Sequence, residues 1–178
     1  MKNGFRRILR LSSGFWFCLL LSFSNCGPSG PGGLKPIAAP DVETGCPGRR
    51  AAWKLEVLDR RAERRETEKV TALVADSIRR SFPGCAWAGA GREAPTITVE
   101  LNSFSSTFNS DGDGMWDAVA SWTVSAREAG RPLMEFECEA KDSQPNYRNT
   151  NNEKEVLTRV FEGALRRALA GIRAIPAS

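Results

Sequence analysis

The chain has 178 residues, with 25 Lys and Arg against 21 Asp and Glu, and it contains no histidine. Four of the basic residues and none of the acidic ones lie in residues 1–25, which leaves 21 basic against 21 acidic in the remainder. That balance argues against a nucleic-acid-binding domain, which needs a basic surface to displace counterions from phosphates. The missing histidine removes the commonest general base, Ser-His-Asp and Cys-His catalytic arrangements, and His-containing zinc sites.

The first element is an export signal. Lys2, Arg6, Arg7 and Arg10 form a basic start, Phe15 to Leu21 an apolar stretch, and Ser22-Phe23-Ser24-Asn25-Cys26 follows. A basic n-region, a short h-region and a cysteine at the expected cleavage point are the parts of a secretory signal. The layout resembles a bacterial lipoprotein precursor, in which that cysteine is lipidated and becomes the first residue of the mature protein. Ser24 and the apolar Phe23 match the usual positions before the cysteine, whereas Asn25 departs from them. Two other readings are an ordinary signal cleaved nearby and an uncleaved anchor. The apolar run is far shorter than the roughly 20 residues that span a bilayer, which weighs against the anchor. The resemblance implies residues 1–25 as signal peptide, Cys26 as lipidation site, and a membrane attached through a lipid such as palmitate. Gly27 in place of Asp implies the outer membrane, facing the periplasm.

Residues 26–50 are rich in Gly and Pro without periodicity and read as a flexible tether. One α+β globular domain is expected over residues 51–175, long enough for a single core. Ala52 to Asp59 alternates, with Trp53, Leu55 and Val57 on one side, and predicts a half-buried strand. The following Arg60-Arg61-Ala62-Glu63-Arg64-Arg65-Glu66 reads as a charged, mostly solvated connection or a frayed helix start. Glu66 to Phe82 carries Val70, Leu73, Val74, Ser77 and Ile78 at helical spacing, and Pro83-Gly84 ends it. Cys85 to Ala88 is a short strand candidate.

Three strands follow. Thr96 to Phe104 buries Ile97, Val99 and Leu101. Trp116 to Ala126 buries Trp116, Ala118, Ala120, Trp122 and Val124. Leu133 to Ala140 buries Met134, Phe136, Cys138 and Ala140, and turns its glutamates outward. Short Gly- and Asp-bearing turns between them predict an antiparallel meander covered on one face. Asn152 and Glu155 form a capping box for a final helix, Glu153 to Ile172, whose small Ala164 and Ala168 allow a close approach to the sheet. The expected order is β-α-(β)-β-β-β-α, a mainly antiparallel sheet with two helices on one face.

This layout is similar to small bacterial envelope lipoproteins, the YajG-type family and the auxiliary lipoproteins of ABC-type envelope lipid transport systems. The residues that carry it are Ala94 to Phe104, the runs Trp116 to Ala126 and Leu133 to Ala140, and Asn151 to Ile172. It implies an α+β lipoprotein domain on the periplasmic side of a membrane and carries over no catalytic residue.

Candidate sites are few. There is no CxxC pair, no GxxxxGK[ST] loop and no GxGxxG fingerprint. Asn109, Asp111, Asp113 and Gly114 match the first half of a calcium loop, but Ala120 stands where a bidentate Glu is required, so a hairpin turn is expected. Trp87, beside glycine-rich segments, is the best candidate for an exposed partner-binding aromatic. Cys46 precedes the first strand and Cys85 follows the helix that returns beside it, which predicts a Cys46–Cys85 disulfide in an oxidising compartment, against the alternatives of two free thiols or a Cys85–Cys138 bridge that would draw Cys138 off the core face. Cys138 points into the core. The expected function is a non-catalytic, membrane-anchored envelope domain that binds or scaffolds a protein partner, with no cofactor, no metal and no nucleic acid. The alternatives are an auxiliary subunit of a lipid or lipopolysaccharide transport system and a cell-wall-acting enzyme working through paired carboxylates.

Overall fold

A computed structural model describes residues 45–62, 67–89, 94–110, 114–146 and 152–177. The export signal, Cys26 and most of the tether lie outside the described residues. Five strands and two helices follow one another as β1 (Ala52–Asp59), α1 (Thr67–Ser81), β2 (Ala86–Trp87), β3 (Thr96–Asn109), β4 (Met115–Glu128), β5 (Arg131–Pro145) and α2 (Asn152–Arg173). The sheet order is β2-β1-β3-β4-β5. The fold is α+β, in the expected element order. The sheet is mixed: β1 pairs in parallel with β2 and β3, and β3, β4 and β5 form the antiparallel meander. The parallel ladders follow from α1, which carries the chain back so that β3 starts level with β1, at Lys54↔Thr96.

Alternation sets the two faces of the sheet. Trp53, Ile97, Val99, Leu101, Ala118, Ala120, Trp122, Val124, Ala126, Cys138 and Ala140 are buried. α1 covers β1, and α2 lies across β3, β4 and β5. Between them the helices contribute Val70, Val74, Ile78, Val160, Phe161, Leu165, Leu169 and Ile172, each at most 1% exposed. Ser77 and Ser81 also sit on the buried side of α1, their hydroxyls donating to the carbonyls of Leu73 and Ser77 at 2.8 and 2.9 Å. The opposite face carries Lys54, Glu56, Thr98, Glu100, Thr123, Ser125, Glu135, Glu137 and Glu139, as the polar phase of the alternation requires.

The strands run further than their apolar alternation. β3 continues five residues past Phe104, after a register shift between Leu101 and Ser103. That bulge changes the parity, so Phe104 rejoins the face of Leu101 and meets the Phe161 ring edge-on, with centroids 5.8 Å apart. Asn102, the displaced residue, donates from its side-chain amide to Thr123 Oγ1 at 2.8 Å. The β4–β5 turn is Ala129-Gly130, with φ of 48° and 78°. Two successive left-handed residues are what a two-residue hairpin of type I′ needs. Arg61, read from the sequence as part of a solvated run, is instead buried against Asp59. Its guanidinium donates to both carboxylate oxygens at 2.8 Å, with side-chain exposures of 8% and 2%.

α2 sits close to β5 because of its small residues. The Phe136 ring occupies the space above Gly171, where a Cβ would fall 2.0 Å from Cζ. A Cβ at Gly163 would meet that of Ala140 at 3.0 Å. No helix among the described residues is long and apolar enough to cross a membrane. Gly171→Ala forces Phe136 out of its place, so it is expected to lower stability by about 1–3 kcal/mol. Adding Phe136→Leu should recover part of that loss. A urea titration that finds Gly171→Ala as stable as the parent overturns this packing.

Candidate functional site

The most elaborated part of the surface is the end where the tether enters. Cys46 and Cys85 are joined by a disulfide, with Cα atoms 4.5 Å apart and a separation of 39 positions in sequence. Cys46 opens a 3-10 turn, Pro47–Arg49, in which Pro47 and Gly48 are buried. The Trp53 indole N–H donates to the Pro47 carbonyl at 2.8 Å. Among the described residues the chain is therefore already held at Cys46, five residues before the boundary expected from composition. Gly48 takes φ of 62°, and a Cβ there would lie 2.2 Å from Arg50 Nη1 and 2.9 Å from the Pro176 carbonyl oxygen. Only glycine fits that combination of conformation and space.

Arg50 is the hub of this end. Its Nε and Nη2 donate to Glu128 Oε1 and Oε2, both at 3.0 Å. Its Nη1 donates to the Pro176 carbonyl at 2.9 Å. Its guanidinium lies 5.3 Å from the centroid of the Trp53 ring. One side chain thus ties the tether exit to the β4–β5 hairpin and to the C-terminal segment. The Arg50 side chain is 7% exposed and that of Glu128 is 40% exposed. The two hydrogen bonds from Arg50 hold the Glu128 carboxyl below the usual carboxylate range, and the same bonds hold Arg50 above the usual arginine value. Sequence reading placed Arg49 and Arg50 at the end of the tether and missed this cluster. No local pattern marks Arg50, whose partner is 78 residues away.

The other candidates fall elsewhere. Trp87, the candidate for an exposed aromatic, lies partly buried against the core and is paired in register with Trp53. Its indole N–H reaches no acceptor among the described residues. Trp116 is partly buried at the margin of the core. It packs against Phe108 at 5.2 Å between centroids, near the far end of the β3–β4 hairpin, where Phe108 is 39% exposed. Cys138 is buried, and that burial pushes its thiol up to about 11, with Arg167 opposing the rise. Asp111 and Asp113 of the calcium-like loop lie outside the described residues.

The surface depressions of the described residues include three open ones. One of about 820 Å³ lies on the uncovered sheet face and is lined by Glu56, Thr98, Glu100, Ser125 and Arg127 among others. Its three carboxylates are already engaged, Glu56 with Lys54 at 2.7 Å, Glu100 with Arg60 at 3.3 Å and Glu128 with Arg50 at 3.0 Å. The others are lined chiefly by charged and hydroxyl side chains, among them Lys154, Glu155 and Arg159 in one and Asp117, Lys141 and Ser143 in the other.

No protein-family model matches this sequence, and no curated protein matches it. Solved structures do. A protein from Xanthomonas campestris of the DUF330 family superposes with a TM-score of 0.53 at 11% identity, over 79% of this chain and 90% of that one. A minor lipoprotein from Acinetobacter baumannii gives 0.42 at 14% identity, over 72% and 96%. The rare lipoprotein B from Shewanella oneidensis gives 0.40 at 13% identity, over 68% and 89%. The likeness to the Xanthomonas protein is one of fold.

Two outcomes test the tether-end cluster. A carboxyl whose folded pKa is depressed stabilises the fold above its unfolded pKa, and that contribution is lost as pH falls through the folded value. Glu128→Gln should therefore melt below the parent at neutral pH. The gap should close as pH drops through and below the usual carboxylate range. A gap that stays constant in acid would show that the charge on Glu128 is irrelevant.

Replacing both Cys46 and Cys85 by Ala opens a loop of 39 residues, worth about 3–4 kcal/mol in the chain-entropy account. Chemical denaturation should show that loss. Non-reducing peptide mapping of the parent should return Cys46 linked to Cys85 and Cys138 alkylatable only after unfolding; a bridge containing Cys138 would contradict the assignment.

Proposed function

We propose that this protein is a lipid-anchored domain of the bacterial cell envelope, attached through Cys26 and facing the periplasm from the outer membrane. The observation that carries the reading is the way the chain enters the domain. A signal-like start, a cysteine and a Gly/Pro-rich segment lead to Cys46, which is covalently fixed to Cys85. A disulfide at that point suits an oxidising compartment outside the cytoplasm. A segment clamped by a disulfide and by the Arg50 hydrogen bonds is built to transmit the pull of an anchor to the folded body.

The domain itself acts as a non-catalytic binding or scaffolding unit in this reading. Support comes from the uncovered sheet face, whose carboxylates Glu56 and Glu100 are each bridged by a base and open to solvent. General acid–base work calls instead for a desolvated pair with separated pKa values. The depressions lined by charged and hydroxyl side chains suit a polar protein surface better than an acyl chain, which places the lipid-transport alternative second.

Cys26→Ala decides the anchor. The parent should incorporate radiolabelled palmitate and sediment with membranes. The variant should take up none, and should appear either in the soluble fraction or as unprocessed precursor. Unchanged incorporation in the variant would refute lipidation at Cys26.

A further inference from the structure

Charge is distributed unevenly along the long axis of the domain. Arg49 stands in the turn after Cys46, Arg80 in the last turn of α1, and Arg127 and Arg131 on either side of the β4–β5 turn. All four are exposed. The disulfide joins the tether exit to the segment after α1, and the Arg50–Glu128 pair joins it to the β4–β5 turn, so the four share one end of the molecule. None of them bridges an acid among the described residues. Among the described residues, the acids nearest to them are engaged: Glu128 by Arg50, and Asp76 by Arg79. Glu135, opposite Ser125 in the ladder, is the next acid up β5. The far end carries Asp117, Asp142, Glu153 and Glu155, with Lys141, Lys154 and Arg159 interspersed. Basic and acidic residues balance over the chain from Cys26 onward, so the arginine end is a local excess.

All four residues are arginines, whose planar forks match phosphate oxygens two at a time and shed water more readily than an ammonium. They surround the point where the tether joins. The 19 residues from Gly27 to Gly45 can span at most about 65 Å. An anchor at Cys26 therefore keeps this end within a short distance of a phosphate-rich surface at high effective concentration.

We propose that the arginine end, Arg49, Arg80, Arg127 and Arg131, is a docking surface for the anionic headgroups of the bilayer that holds the protein's own anchor. The domain then stands on the membrane by its tether end, and the β3–β4 hairpin with Phe108 and Trp116 points away from it. The inference rests on the anchored reading for the identity of the surface.

The chain from residue 26 with Cys26→Ser, which retains every residue of the core, is mixed with vesicles and sedimented. One set contains a third phosphatidylglycerol and the other only phosphatidylcholine. The lipid-free chain should bind the anionic set and not the neutral one, and half-molar salt should release it. Each arginine near such a surface changes binding about fivefold. Changing all four to Gln should weaken it at least tenfold, whereas Lys141→Gln with Lys154→Gln at the far end should leave it unchanged. Equal binding to both vesicle sets, salt-insensitive binding, or full binding by a quadruple variant whose melting curve matches the parent overturns the proposal. If that variant melts early, the salt release and lipid preference of the parent decide alone. The lipidated protein separates the two readings. If it stays on both vesicle sets while the lipid-free chain binds neither, the docking surface is refuted and the anchor stands. If Cys26→Ala proves to leave membrane attachment and palmitate uptake intact while the lipid-free chain still selects anionic vesicles, the anchor is refuted and the surface stands.

Discussion

The close approach of α2 to the meander is the contact on which the rest of the molecule depends. A three-stranded antiparallel ladder has one apolar face and cannot be stable with that face in water. Phe161 closes it at the centre, edge-on to both Phe104 and Trp122 with centroids 5.8 and 5.5 Å away. Burying a ring of that size contributes about 1.5–3 kcal/mol, and the aromatic pairs add to it. The small residues of α2 set the distance. Gly163 lets Ala140 in, and Gly171 leaves room for the whole Phe136 ring. Larger residues at those positions would lift the helix and open the seam over β5, the edge strand. Because both helices are used on this face, the other face stays bare, and its polar residues are the ones that alternation leaves there.

That one-sided arrangement also fixes how load enters the domain. A tether attached to a sheet usually ends in a strand, and pulling on it peels the strand from its ladder one bond at a time. Here the incoming chain is held before β1 begins. The disulfide passes force to the segment after α1, Arg50 passes it to the β4–β5 turn and to Pro176, and the Pro47 carbonyl is held by Trp53, whose side chain is fully buried. Tension is shared among elements that are distant in sequence and adjacent in space, so no single ladder carries it. Under the anchored reading the same joint sets which end of the domain faces the membrane, because Cys46 lies only 20 positions after Cys26. The hairpin between β3 and β4, 14 residues long on each side, then sets the height of the opposite end at about 45 Å above the joint.

How far the sequence foretold this follows from the range of each interaction. Alternation in Trp53-Leu55-Val57 and Ile97-Val99-Leu101, and the helical stripe through Val156, Val160, Ala164 and Ala168, are local patterns, and the elements they mark are where the patterns put them. Strand ends were less legible. Beyond Phe104 the residues Ser105, Ser106 and Thr107 carry no apolar alternation, yet β3 continues because its backbone is paired with β4 as far as Asn109. The bulge at Asn102 was visible as a break in spacing, three residues from Leu101 to Phe104 instead of two, and that break is a signal that Phe104 faces the helix. The mixed character of the sheet follows from the α1 crossover, but which neighbour β1 takes is a choice among non-local pairings. The Asp59–Arg61 pair shows the limit most plainly. Two of the arginines in that charged run, Arg60 and Arg61, look alike in sequence. One is exposed and bridges Glu100, whereas the other is buried in a bidentate pair two residues from its partner. A charge without partners would be driven to solvent, and removing one member of such a buried pair costs about 3–5 kcal/mol. Whether a partner is present depends on which side of the strand end the chain leaves, and that is decided by the packing of α1 on β1. Arg50 is the same problem at longer range. Its three-way role depends on the β4–β5 turn and the C-terminus arriving together beside the disulfide, a coincidence of tertiary structure that no window of sequence contains.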